Sequence, residues 1–165
     1  YVNEAEAATD LALFDDLLSC LESQYDINNH RVYTMGFSAG ALWSTYLSLH
    51  RSEYLASAVI FSGGTGLFPY TTPESRIPAL VVWGGAPDVY MGVIKFDQMS
   101  ESLVQSLVND GHLVIACDHG GGHTLPFGAL SWAYEFLTPH QWGQPSESFL
   151  EPGGMDSFPD YCQAY

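Results

Sequence analysis

Arg31-Val32-Tyr33-Thr34-Met35-Gly36-Phe37-Ser38-Ala39-Gly40-Ala41 is the stretch whose reading decides the fold. A short run rich in β-formers enters Gly-Phe-Ser-Ala-Gly, and a helix-compatible segment, Ala41-Leu42-Trp43-Ser44-Thr45-Tyr46-Leu47, leaves it. Strand, sharp turn and helix in that order hold one side chain out at a corner, on a strained backbone whose neighbours must lack bulk. Gly36 and Gly40 are expected to give that clearance. Ser38 then stands at the carboxyl end of a sheet and the amino end of the next helix, where the Ala39 amide can meet developing negative charge. The Gly-x-Ser-x-Gly pattern arises readily by chance in a chain rich in both residues, so its weight comes from the flanking strand and helix.

Outward from this corner the chain alternates. Before it, Leu13, Phe14, Leu17, Leu18 and Leu21 fall at helical spacing within residues 4–24, with Glu4 and Glu6 near the positive end of the helix dipole. After it, continuous apolar runs at 56–61, 79–83 and 112–117 read as buried strands. Each opens into a Gly-rich exit: Ser62-Gly63-Gly64, Gly84-Gly85-Ala86-Pro87-Asp88 and Asp118-His119-Gly120-Gly121-Gly122-His123. Phe96, Met99, Leu103 and Leu107 mark a helix stopped by Asp110-Gly111, and Leu130, Ala133, Phe136 and Leu137 mark another before Thr138-Pro139. Strands without alternation, interleaved with helices, predict an α/β class: a mostly parallel sheet of about four strands with helices on both faces and ligands at the carboxyl ends. At 165 residues and 47% hydrophobic composition the chain is expected to be one domain, 1–165, with its core over 1–138 and an irregular tail over 139–165.

Three strand exits now offer a serine, an acid and a histidine in the order Ser38, Asp88, His123. A serine hydroxyl attacks only when a neutral imidazole takes its proton, and that imidazole needs a carboxylate to fix its tautomer. Ser38 is therefore the expected nucleophile, His123 the general base then acid, and Asp88 the residue that orients His123. Asp118 is the rival acid, but it lies five residues before His123. His119 is the rival base, and Asp97 reads as a first-turn helix residue. Asp118, His119 and His123 as metal ligands are disfavoured by the intervening glycines, so no metal is expected. Phe37, Trp83 and Tyr90 are expected to touch substrate, while most of the other aromatics are core.

Charge and cysteines bound the partners. Four Lys plus Arg against 19 Asp plus Glu give a net charge of −15, which repels nucleic acid and anionic membranes. The apolar runs are far too short for a membrane span. Cys20, Cys117 and Cys162 allow one disulfide: Cys162 in the tail is expected to bridge Cys117 or Cys20, with three free thiols as the alternative. Acidity and a cysteine-bearing tail lean towards secretion.

Gly36-Phe37-Ser38-Ala39-Gly40, the Trp83-Gly84-Gly85-Ala86-Pro87-Asp88 loop and Gly121-Gly122-His123-Thr124-Leu125-Pro126 resemble the secreted polyhydroxybutyrate-depolymerase and feruloyl/acetylxylan-esterase branch of the α/β-hydrolases. The resemblance covers most of residues 10–137, and Asp15-Asp16 is similar to a paired acidic feature before the elbow. It implies hydrolysis of carboxylic esters, short-chain, aryl or polymeric, through an acyl-enzyme and without a cofactor. A peptidase of the same fold, or a non-catalytic portion of a longer hydrolase, is the alternative. Nothing here resembles the amino-terminal half of that family, whose His-Gly-type loop supplies a second oxyanion donor. The expectation is thus a truncated or minimal α/β-hydrolase with its strand at 31–36 on a sheet edge, open to pairing in a homo-oligomer.

Overall fold

The computed structural model describes residues 4–151 and 153–165; residues 1–3 and 152 of the expected domain lie outside them. Four parallel strands form the centre: β1 (Tyr33–Phe37), β2 (Ser57–Phe61), β3 (Ala79–Trp83) and, after a two-strand hairpin, β6 (Val114–Asp118). They lie in that order, β1 on the edge with Gly36 opposite Ile60, and β2 and β3 wholly buried. Alternate residues divide between two cores, as period-two strands require. Ile60, Val81, Trp83 and Ala116 face α1 (Glu4–Gln24), α2 (Ala39–His50) and α3 (Phe96–Asn109). Val59, Phe61, Val82 and Cys117 face α4 (Ala129–Leu137) and the tail. The expected mostly parallel sheet with helices on both faces is what these elements build. No helix among the described residues is long and apolar enough to cross a membrane.

Three features differ from the sequence reading. On α1 the apolar residues do not form one inward stripe: Ala7 and Leu11 are buried and Phe14 and Leu18 half-buried, while Leu13, Leu17 and Leu21 face solvent. The helix docks through Ala7, Leu11 and Phe14, and the bidentate pair of Asp15 with Arg51, at 2.8 and 2.7 Å, adds a surface tie. Second, the chain after β3 makes a small antiparallel hairpin, β4 (Val89–Tyr90) with β5 (Ile94–Lys95), too short to register as strands in the sequence. Third, the tail ends as a fifth strand, β7 (Cys162–Ala164), antiparallel to β6. Cys117 and Cys162 face each other in that register and form the disulfide, leaving Cys20 free and exposed. The tail's other end is held by the Tyr33 hydroxyl and the Arg31 guanidinium, which donate to His140 O and Thr138 O.

Candidate active site

The turn after β1 holds Ser38 at φ 56°, ψ −118°, a positive-φ conformation costly for any residue with a Cβ. The corner is held from both sides. Ser38 N–H donates to Phe61 O of β2 at 3.0 Å, and Ser38 O accepts from Ala41 and Leu42 at 2.9 and 3.0 Å. Clearance comes from one glycine of the pair: a Cβ on Gly36 would lie 2.2 Å from the Gly40 backbone, whereas one on Gly40 would meet nothing. Ala39 opens α2 and follows Ser38 in the chain, which sets its amide at the positive end of the helix dipole.

His123 and Asp88 reach the same point from two other strand ends. His123 Nε2 is 2.9 Å from Ser38 Oγ, and its Nδ1 is 2.7 Å from Asp88 Oδ1. Asp88 is fully buried, so its carboxylate must be satisfied inside the protein. Oδ2 does this by accepting from Ser62 Oγ at 2.7 Å and Gly84 N at 2.9 Å. With Oδ1 facing His123 Nδ1, the proton on that nitrogen is fixed and Nε2 is left as the acceptor towards serine.

The imidazole is positioned by rings as well as by hydrogen bonds. It stacks on Phe37 at 4.9 Å and on the buried Phe96 at 4.7 Å, and Tyr90 lies at 6.2 Å. The two loops that carry Asp88 and His123 are interlocked. Gly122 N–H donates to Gly84 O at 2.9 Å, and a Cβ on Gly84 would overlap Gly122 O at 1.9 Å. That contact explains a glycine at 84 better than the turn itself does.

Ser38, Asp88 and His123 are thus brought together, with Ala39, Phe37 and Tyr90 around them. Trp83 is not. Its side chain follows Val81 onto the opposite sheet face, where it is buried in the core beneath α3, so a substrate-contacting role is corrected to a packing one. The rivals have other work: Asp118 accepts from Gly120 N at 3.0 Å, and His119 Nδ1 from Gly121 N at 3.2 Å. Asp97 lies in the first turn of α3. No group of three metal-ligating side chains occurs among the described residues. Ser62 and Phe96 were missed by the sequence reading. Ser62 is the first residue after a wholly apolar strand, the same position that Ser38 occupies after β1, and it too has a positive φ, 50°, but its hydrogen bond to Asp88 spans 26 residues and only the fold makes it.

No protein-family model matches the chain, and no curated protein matches it. Solved structures do. The native form of sOPH superposes with a TM-score of 0.67 at 17% identity, covering 97% of this chain and 60% of that one. A Bacillus cereus carboxylesterase gives 0.66 at 19% identity, covering 82% and 62%. Esterase PE8 gives 0.60 at 26% identity, covering 81% and 61%. The fold is that of the α/β-hydrolases, and these neighbours include esterases of that fold. This chain spans about 60% of the length of the sOPH structure.

Proposed function

We propose that the chain is a serine hydrolase that cleaves carboxylic esters through an acyl-enzyme on Ser38. The observation that carries this reading is the continuous Ser38–His123–Asp88 hydrogen-bond relay, at 2.9 and 2.7 Å, ending on a strained serine at a helix amino terminus. In the first step Ser38 Oγ adds to the ester carbonyl while His123 Nε2 takes its proton, and the buried Asp88 carboxylate stabilises the resulting imidazolium. The tetrahedral oxyanion falls to the Ala39 amide and the α2 dipole. Collapse breaks the bond to the alcohol, which leaves with the proton from Nε2. Water then repeats the sequence on the acyl-enzyme, releasing the acid and restoring Ser38. The chain's own residues suffice for each proton transfer, so no cofactor or metal enters.

The finer assignment is to the polyhydroxybutyrate-depolymerase and feruloyl-esterase branch, with short-chain, aryl or polyester substrates. It is supported by the three loop motifs and by Phe37 and Tyr90 beside the imidazole. A disulfide between Cys117 and Cys162 favours secretion into an oxidising compartment. The open edge of β1 favours a homo-oligomer, and a strictly monomeric mass at micromolar concentration would count against it.

One feature favours a second reading, a non-catalytic part of a longer hydrolase: among the described residues the elbow offers one oxyanion amide, that of Ala39, and loss of one such donor costs on the order of a hundredfold or more in rate. Hydrolysis of p-nitrophenyl acetate and butyrate, with intact mass after fluorophosphonate treatment, decides between them. Turnover and single labelling that both vanish in Ser38→Ala are expected. Absence of both signals from the folded protein overturns the esterase reading.

A further inference from the structure

Between α4 and the tail that follows it lies a cavity of about 330 Å³. Its walls include Glu135 and Pro139 at the end of α4, His140, and Pro145, Phe149 and Ser157 of the tail. The cavity is at the opposite end of the sheet from the triad: Tyr33, the first residue of β1, donates to His140 O, whereas Ser38 follows the last. His140 is the residue that needs explaining. It is only 5% exposed, with the rings of Phe136 and Phe149 at 4.7 and 5.2 Å, and its Nε2 has no partner among the described residues. Nδ1 donates to Phe136 O at 2.6 Å, so the proton of the neutral ring is on that nitrogen and Nε2 carries a lone pair. The two nitrogens diverge, so with Nδ1 turned to the helix, Nε2 turns to the side on which the tail closes the cavity. Burial holds the imidazole below the ordinary histidine range, which keeps that lone pair available in neutral solution. A buried acceptor left unpaired costs stability, and the reaction proposed at Ser38 makes no use of it.

The surrounding charges select a cationic donor. Residues 132–165 hold five acidic residues, Glu135, Glu147, Glu151, Asp156 and Asp160, and no lysine or arginine. Arg31 reaches the end of α4 from outside that segment, and its guanidinium is engaged there on Thr138 O. An anion entering the cavity would meet a lone pair and a carboxylate, both of which repel it. A primary ammonium brings three N–H donors, one for Nε2, one for the Glu135 carboxylate and one for the Ser157 hydroxyl. Its carbon chain can lie against Pro139 and Pro145, and the face of Phe149 favours a nearby cation. We propose that this cavity binds a small primary alkylammonium ion through His140 Nε2 and the Glu135 carboxylate. The site uses none of the residues of the serine-hydrolase reading and does not depend on it.

The probe is n-butylammonium chloride at about pH 8, where the amine is protonated and His140 is neutral. Titrated into protein labelled with nitrogen-15 in its histidine rings, it should shift the His140 Nε2 resonance saturably. Butanol and butyrate, of the same chain length, should bind at least tenfold more weakly. Two variants read by calorimetry should each raise the Kd for butylammonium at least tenfold. Glu135→Gln changes an exposed position of α4, and His140→Asn keeps an amide able to donate to Phe136 O while removing the distal nitrogen. Should His140→Asn fail to fold, Glu135→Gln decides alone. The absence of a saturable shift overturns the site, and so does an unchanged Kd in Glu135→Gln. Butanol bound as tightly as butylammonium overturns the choice of a cation. Micromolar zinc that moves the resonance where butylammonium does not would assign the nitrogen to a metal and overturn the proposal as well. Ser38→Ala should bind butylammonium with the Kd of the unsubstituted protein, so a failure of ester hydrolysis leaves this result standing.

Discussion

Ser62 is the residue on which the buried carboxylate most depends after His123. Its hydroxyl and Gly84 N–H are the two donors to Asp88 Oδ2, in a place that water does not reach. Removing the hydroxyl leaves a buried acceptor short of a partner, worth about 1–3 kcal/mol. Ser62→Ala should lower kcat on p-nitrophenyl acetate about tenfold with KM little changed, since the substrate is not touched; an unaltered kcat would remove Ser62 from the positioning of Asp88. The two glycines of the elbow separate in the same way. Gly36→Ala forces backbone against backbone and should unfold the protein or cost several kcal/mol, at the upper end of single-substitution effects. Gly40→Ala meets open space in a helix and should be neutral or add about 0.5 kcal/mol, read from urea midpoints. The serine, acid and histidine were legible because each follows a strand exit, while Ser62 was not, because its partner lies 26 residues away and only the fold joins them. The placement of Trp83 was legible in principle, since period two from Val81 puts it under α3.

Among the elements, the long apolar strands and their helices could be read from composition, and the short pieces could not. A two-residue strand such as β4 carries no period, and β7 becomes a strand only because β6 offers it an edge. The disulfide fixes that last pairing. It closes a loop with a sequence separation of 45, which in the chain-entropy account is worth about 4 kcal/mol. Cys162→Ser should therefore lower stability by about 2–4 kcal/mol, and reductant should bring the unsubstituted protein to the same urea midpoint. No effect of either would show that the tail holds by its aromatics alone, chiefly Phe149 and Phe158 against α4. For α1, the Arg51 guanidinium hydrogen-bonded to Asp15 holds that carboxyl below its usual range. Asp15 is exposed enough for water to screen the pair, so Asp15→Asn should cost no more than about 1 kcal/mol.

At the scale of the molecule, stability should depend on pH through imidazoles outside the site, chiefly the buried His112 and His140 and in smaller part the half-buried His50, which burial and the neighbouring Arg51 push the same way. Burial pushes His112 and His140 below the ordinary histidine range. Each is held in a neutral form: His112 Nδ1 accepts from Ile77 N at 3.0 Å, and His140 Nδ1 donates to Phe136 O at 2.6 Å while Nε2 has no partner among the described residues. As pH falls through about 6.5, where histidine titrates in the unfolded chain, that state takes up protons the folded one refuses, so stability is lost. The urea midpoint should be level above about pH 7.5 and decline between 7 and 5.5, before the carboxylates titrate. His140→Gln should flatten the decline; an equal slope in the variant would exclude that residue. The contact of Gly84 with Gly122 has a consequence of another kind. The Gly84 amide is spent on Asp88 and the Gly122 amide on Gly84 O, so neither proton is free to trade with solvent while the two loops stay clasped. Their deuterium uptake, followed by NMR without any ligand, becomes a clock for how often the acid and the histidine come apart, and Ser62→Ala should make it run faster.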